Sequence, residues 1–310
     1  IIAEKTKLLQ TISEKQKDFF TADNDSKAKL SGEIRELKLD ILAKQLELMI
    51  ETKGAKRDKN SGRRPSKKQA ERYLETEGWK RTLSKINQLK ANHKPFKHFD
   101  WKLDFPEVLN SLATTNTGFD IVIGNPPYIK EYTNRDAFEG FRNSPYYQGK
   151  MDLWYGFACI GLDLLKEGGS ETFIAQNNWI TSAGASKFRK KVTSETEIQI
   201  FTDFGNYKVF KSAGIQTMVY LLRKCNPKDK YFIQFSILKN DNIQELQLID
   251  FLSSNEVEHD CYSKFKLSFD NKANYSKSIS FSSPQVQKII DKILLAKNFS
   301  LKNNEVIQGI

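Results

Sequence analysis

Apolar residues recur at helical spacing through residues 1–92. Leu8, Leu9 and Ile12 share one face. After a polar break at residues 23–26, Leu30, Ile34, Leu37, Ile41, Leu42, Leu46 and Met49 return every third or fourth position. The pattern predicts a helical hairpin, or two helices that pack on something else. A third helix is expected over 68–89, with Tyr73, Trp79 and Ile86 as its apolar points. The intervening stretch 53–68 is almost devoid of apolar side chains and reads as a loop. From Phe96 the pattern changes to alternating strands and helices, which marks an α/β sheet. Strands are expected at 119–124, 172–176, 198–204 and 216–223, and helices at 151–166 and 184–192. The run Phe119-Asp120-Ile121-Val122 reads as a buried strand. Leu165-Lys166-Glu167-Gly168-Gly169 reads as a helix exit, with glycine supplying a left-handed turn. Residues 229–282 are mixed, with a strand over 231–238. Ser283 and Pro284 then open a helix at 285–296, as cap and first helical residue. The expected organisation is a helical segment (1–95), an α/β region (96–228), a mixed β and irregular extension (229–282) and a final helical piece (283–310).

Composition narrows the class. The 310 residues carry 49 Lys+Arg against 38 Asp+Glu, a net charge of +11. Such an excess suits a polyanionic partner, most simply nucleic acid, although a basic surface that binds nothing has the same count. The loop at 53–68 reads equally as a phosphate-contacting arm or a solvated basic loop. Cys159, Cys225 and Cys261 are far apart and odd in number, which argues against a disulfide framework and fits a reducing, cytoplasmic compartment. Histidines are few, and His93 and His98 sit in a polar connector, so no zinc or other metal site is expected. No apolar stretch is long enough to cross a membrane. The chain begins Ile1-Ile2 and ends within an apolar phrase, and is expected to be a piece of a longer protein.

The chemistry concentrates at Ile123-Gly124-Asn125-Pro126-Pro127-Tyr128-Ile129. Pro126 and Pro127 have fixed φ and no N–H, and each restricts the residue before it. The backbone is therefore stiff, and carbonyls near Asn125 and Pro126 can point outward. Asn125 adds an amide oxygen and Tyr128 a flat aromatic face. Together they suit a planar amino group: two acceptors for its two protons, and a ring to pack on its plane. A plain turn capping a strand is the competing reading.

Asn125-Pro126-Pro127-Tyr128 resembles the catalytic motif of amino-group methyltransferases that use S-adenosylmethionine. The resemblance extends over residues 96–224. Phe99-Asp100-Trp101, then Phe105-Pro106-Glu107-Val108, then Gly118-Phe119-Asp120 and the Asn-Pro-Pro-Tyr follow the order and spacing of γ-class DNA adenine-N6 methyltransferases, in particular type IIG restriction–modification enzymes. The resemblance implies part of a Rossmann-like methyltransferase sheet, S-adenosylmethionine as cofactor and double-stranded DNA as partner. It implies that Asn125 and the Pro126 carbonyl hold the N6 amino group, with Pro127 completing the motif and Tyr128 stacking on the adenine. The target base must first be flipped out of the duplex. By the same resemblance Phe210 is the second stacking platform, Phe157 packs on the cofactor's adenine and Asp100 accepts from that ring's amino group. Gln176-Asn177-Asn178-Trp179 would shape the pocket.

The chain also departs from the family. The glycine-rich turn after the first strand, and the acidic residue that takes the ribose hydroxyls, do not appear. They are expected upstream of residue 1, and a nuclease domain farther upstream still. Residues 305–310 resemble the approach to a target-recognition domain. The 310 residues alone are expected to bind cofactor poorly and to methylate nothing. A glutamine side-chain amide and an RNA adenine present the same planar amino group and remain alternative acceptors. A non-catalytic DNA-binding or assembly module that kept the fold remains a third reading, and no homodimer is indicated.

Overall fold

A computed structural model describes residues 2–55, 66–91, 99–111, 114–210, 214–254, 257–271 and 278–296. Most of the basic loop, His93, His98 and the stretch 305–310 lie outside the described residues. The chain divides into two compact units, Ile1–Thr117 and Gly118–Ile310.

In the first unit, α1 (Ile2–Thr21), α2 (Asn24–Lys53) and α3 (Lys67–Ala91) are followed by two single-turn helices, α4 (Trp101–Asp104) and α5 (Pro106–Leu109). Asp23 breaks α1 from α2 as expected: its carboxylate accepts from the Ser26 N–H at 2.8 Å, capping the new helix. Helix α2 packs on both neighbours. Ile41 joins Leu9, Ile12 and Leu103, whereas Leu39 and Ala43 join Ile86 of α3. The single-stripe reading of α2 therefore missed Leu39 and Ala43. A helix between two others buries two stripes, and their periodicities overlay. Arg35 donates to the Leu89 carbonyl at 2.7 Å, tying α2 to α3.

The second unit is built on a seven-stranded sheet. Its strands are β1 (Phe119–Gly124), β2 (Leu165–Gln176), β3 (Thr196–Asp203), β4 (Thr217–Lys224), β5 (Lys230–Leu238), β6 (Glu258–His259) and β7 (Tyr262–Asp270), in the spatial order β1-β2-β4-β3-β5-β7-β6. β1 runs parallel to β2 and β3 to β5, while β4 is antiparallel to both of its neighbours. The fold is thus the expected α/β class, with a helical segment before a mixed sheet. Helices α6 (Leu153–Leu164), α7 (Ser186–Glu195), α8 (Glu245–Ser253) and α9 (Pro284–Leu295) complete the unit. Ser283 caps α9 through a hydroxyl that accepts from Val286 N–H. Strands β5 and β7, from the stretch expected to be mixed, belong to this same sheet.

The core is aromatic. Trp154 and Tyr155 of α6, Trp179 in the turn after β2, Phe188 of α7 and Tyr220 of β4 are buried in one cluster, with neighbouring ring centroids between 4.6 and 6.5 Å apart. Each such ring removes a large apolar area from water, worth roughly 1.5–3 kcal/mol.

Two local expectations are corrected. Among the described residues β1 pairs with β2 alone and is not the buried strand expected. Val122 packs on the core, but Ile121 and Ile123 are 65% and 79% exposed. Pairing on one edge only, with a helix on one face, leaves the alternate side chains uncovered among the described residues. The glycine at the predicted helix exit also acts elsewhere. α6 ends directly into Leu165, which is extended and buried at the start of β2. Gly168 has the left-handed φ of 80°, but it serves an irregularity in β2, where the pairing to β1 jumps from Phe119↔Leu165 to Ile121↔Ser170.

One buried acid makes a testable stability statement. Glu171 of β2 is fully buried, and Tyr220 Oη donates to its Oε1 at 2.7 Å. A Cβ on Gly161 would come within 2.1 Å of Oε2, so glycine is what leaves room on α6. Burial drives this carboxyl well above the ordinary value of 4.5, against smaller opposing effects from the Tyr220 hydrogen bond and Lys191. The unfolded chain gives up the proton first. Stability therefore falls as pH rises above the unfolded value and keeps falling until the folded group ionises. Glu171→Gln mimics the protonated acid without titrating. It is expected to raise the melting temperature at neutral pH by several degrees and to flatten this slope. Melting scans from about pH 4 to pH 8 check it; an equal slope in both proteins would mean the folded carboxyl is ionised.

Candidate active site

The register of the sheet brings three chain segments to one edge. β1 and β2 are parallel, so Gly124 and Gln176 end on the same side. β2 is antiparallel to β4, pairing Gln176 with Thr217, and β3 pairs Asp203 with Met218. The segment after β1, the turn after β2 and the β3–β4 connection therefore all emerge at the carboxyl ends of β1, β2 and β3. That is where open α/β sheets place their ligands.

Asn125 and Pro127 are exposed and Pro126 is buried. Tyr128 is half-buried, and its Oη lies 2.7 Å from Asn125 Oδ1 and 2.8 Å from the Ile174 carbonyl of β2. Burial, with Asp152 as a second cause, pushes the Tyr128 hydroxyl up to about 12. The segment is then clipped to the start of α6. Leu153 N–H donates to the Ile129 carbonyl at 2.8 Å, Glu131 N–H donates to the Met151 carbonyl at 3.0 Å, and Lys130 faces Asp152 across an isolated bridge. Asp152 is 4% exposed and its carboxylate makes no side-chain cap bond to α6. Burial raises its pKa.

Phe210 is the last described residue on the first stretch of the β3–β4 connection, and residues on either side of it carry hydrogen bonds. Asp203 accepts from Gly205 N–H at 2.8 Å and from Asn177 Nδ2 at 3.2 Å. Gln216 Nε2 donates to Asn206 Oδ1 at 2.6 Å. The Phe210 ring lies 6.4 Å from Tyr128, at an interplanar angle of 51°. Tilted rings at this separation are in ordinary aromatic contact, as Phe188 and Tyr220 are in the core at 6.4 Å and 46°. A base enters between Tyr128 and Phe210 only if the two rings turn and part.

The other two named residues stand apart from these contacts. Phe157 lies on α6 and is 47% exposed, an uncovered aromatic on a helix otherwise rich in buried residues. Asp100 belongs to the first unit, where its Oδ1 caps α4 by accepting from Lys102 and Leu103 N–H at 2.9 and 3.1 Å. Two participants had no role assigned from sequence. The Ile174 carbonyl is main chain and leaves no signature. Asp152 falls inside a legible phrase, but nothing in residue type distinguishes a buried carboxylate from a solvated cap. Among the described residues no group of three His, Cys, Asp or Glu side chains is placed to hold a metal. No described helix is long and apolar enough to cross a membrane.

The family model of the Eco57I restriction-modification methylases matches residues 9–210, most of the chain, and spans every element just described up to Phe210. The chain belongs to that family. Over 138 residues it is 28% identical to the type II restriction enzyme and methyltransferase RM.Eco57I of Escherichia coli, covering 42% of this chain and 14% of that protein. It is 24% identical over 198 residues to the type II methyltransferase M.HindII of Haemophilus influenzae, covering 59% of this chain and 38% of that protein. Among solved structures, the type IIG restriction endonuclease BpuSI is similar over 51% of this chain and 20% of that one, with 16% identity and a TM-score of 0.37. The chain spans 14%, 11% and 19% of the length of the first three curated relatives it matches.

Proposed function

We propose that this Eco57I-family chain carries the catalytic half of a DNA methyltransferase acting on adenine N6, within a cytoplasmic restriction–modification enzyme. The observation that carries the reading is the placement of Asn125 and Pro126 at the carboxyl end of β1, with the rings of Tyr128 and Phe210 brought to 6.4 Å of each other beside them. A duplex adenine cannot reach such a slot, so the base enters it flipped out. Asn125 Oδ1 and the Pro126 carbonyl accept the two N6 protons. Those bonds draw the nitrogen away from conjugation with the ring and free its lone pair. Tyr128 and Phe210 hold the ring plane, which fixes the direction of attack; orientation of this kind supplies much of the acceleration. The nitrogen's surplus proton leaves to solvent after transfer.

S-adenosylmethionine would supply the electrophilic methyl group, with the sulfur departing on the electron pair of the broken C–S bond. The residues here fit one part of that molecule: the exposed Phe157 ring on α6 offers a face for its adenine. Phe157→Ala is expected to weaken cofactor binding about tenfold, the loss of a stacking contact worth about 1–2 kcal/mol. Calorimetric titration of the full-length protein with S-adenosylmethionine reads this; an unchanged Kd would remove Phe157 from the cofactor site.

A net charge of +11 and the family membership favour DNA over a protein glutamine. The test incubates the full-length protein with methyl-labelled S-adenosylmethionine and, in parallel, unmethylated DNA, RNA and protein extract. Label in DNA alone is expected. Label in RNA or protein alone would replace the acceptor, and no label with bound cofactor would leave a binding module.

A further inference from the structure

Proton counting at Tyr128 exposes a device that the stacking role does not use. Tyr128 Oη has two neighbours at hydrogen-bond distance, Asn125 Oδ1 at 2.7 Å and the Ile174 carbonyl at 2.8 Å. A phenol has one proton, so it cannot donate fully to both. The raised hydroxyl pKa of about 12 keeps that proton in place at working pH. The Ile174 carbonyl can only accept. The Asn125 side chain can do either, because half a turn of its terminal amide exchanges Oδ1 for Nδ2.

The two orientations differ in what they present outward. With Oδ1 toward Tyr128, two acceptors compete for one proton, and Asn125 faces its substrate with an –NH₂ group. That group would meet the N–H donors of an amine and repel them. With Nδ2 toward Tyr128, the phenol donates to Ile174 and accepts from Asn125. Every group is then satisfied, and the outward atom is the acceptor Oδ1. The anchor is firm: Ile174 pairs with Val219 of β4, one residue past Phe173, the last β2 residue paired with β1.

We propose that the Tyr128 hydroxyl, held by the Ile174 carbonyl, locks the Asn125 amide with its oxygen toward the acceptor amine. Tyr128 is then a positioning residue through its hydroxyl as well as a platform through its ring. The site selects an amine, a donor of two protons, over a carbonyl at the same place. This inference rests on the proposed methyl-transfer function.

The test uses the full-length protein, methyl-labelled S-adenosylmethionine and unmethylated DNA, with kcat and the KM for DNA measured separately. Tyr128→Phe keeps the ring and removes the lock. It is expected to lower kcat about tenfold, the value of one oriented hydrogen bond, with KM for DNA within about twofold. Asn125→Asp supplies a second background. A carboxylate presents oxygen whichever way it turns, so it needs no lock, and Tyr128→Phe added to Asn125→Asp is expected to change kcat by less than about twofold. Equal losses in both backgrounds, or wild-type kcat in Tyr128→Phe, would overturn the lock. If Asn125→Asp gives no turnover, the single variant decides: a kcat loss at constant KM supports the lock, and a KM effect alone overturns it. A wild-type protein that makes no N6-methyladenine would remove the functional reading, and this inference with it.

Discussion

Asn125→Ala is expected to lower methyl transfer to DNA by about 10²–10³-fold while leaving cofactor affinity, DNA affinity and melting temperature close to wild type. The magnitude is that of deleting one preorganised hydrogen-bonding group aimed at the charge that develops in a transition state. The selectivity follows from the residue's place. Asn125 is exposed at the end of β1, and the side-chain hydrogen bond it makes among the described residues, with Tyr128, is replaceable by the Ile174 carbonyl. Surface substitutions of that kind change stability by roughly 0.5 kcal/mol or less. The ring platforms are untouched, so a flipped adenine still enters, but its lone pair is no longer drawn toward the methyl group. The loss therefore falls on kcat. Steady-state kinetics together with a melting curve check this. A variant that keeps more than about a tenth of wild-type kcat would show that the Pro126 carbonyl suffices on its own.

The second large effect concerns the rings. Tyr128→Ala and Phe210→Ala are each expected to weaken productive binding of the base by about 1–3 kcal/mol, the usual cost of removing one stacking partner. Tyr128→Ala is also expected to lower kcat, because it removes the hydroxyl bonded toward Asn125 and Ile174, whereas Phe210→Ala acts on binding of the base alone. The double variant is expected to lose less than the sum, because one base contacts both rings and either ring alone excludes part of the water. Phe210→Trp keeps a flat face and is expected to stay within a few-fold of wild type. The readout is the KM for DNA together with fluorescence of 2-aminopurine placed at the methylated position. Extrusion brightens the probe, and loss of a platform should lower its amplitude. Additive losses in the double variant would mean that the 6.4 Å approach of the two rings is not a shared slot.

How much of this is legible in the sequence depends on what each feature rests on. The helices of the first unit announce themselves through Leu9, Ile12 and Ile41, because a face turned to one neighbour repeats at 3.6 residues. Leu39 and Ala43 stayed hidden because α2 serves two neighbours. The strand before Asn125 is legible as a strand from Phe119–Val122, but the exposure of Ile121 and Ile123 is not. Alternation reports a face, and edge or centre is decided by partners far away in sequence. Gly168-Gly169 announces a left-handed turn, but not whether it serves a helix exit or a strand irregularity, because both use the same φ. Asn125–Tyr128 is legible as a motif because its acceptors and its ring lie in residue type; the catalytic role proposed for it rests on the experiments above. The facing of Tyr128 and Phe210 follows from the antiparallel insertion of β4 between β2 and β3, which local pattern does not specify. The Ile174 carbonyl could not have been found from sequence, since every residue has one.

The central claim is that Asn125, Pro126, Tyr128 and Phe210 together place a methyl group on adenine N6. The most direct measurement digests DNA to nucleosides after reaction with the full-length protein and methyl-labelled S-adenosylmethionine, and identifies the labelled nucleoside by mass, with Asn125→Ala run beside the wild type. The account predicts label in N6-methyldeoxyadenosine from the wild type and a loss of that label in the variant. Label in a methylated cytosine, or equal label from both proteins, would contradict it.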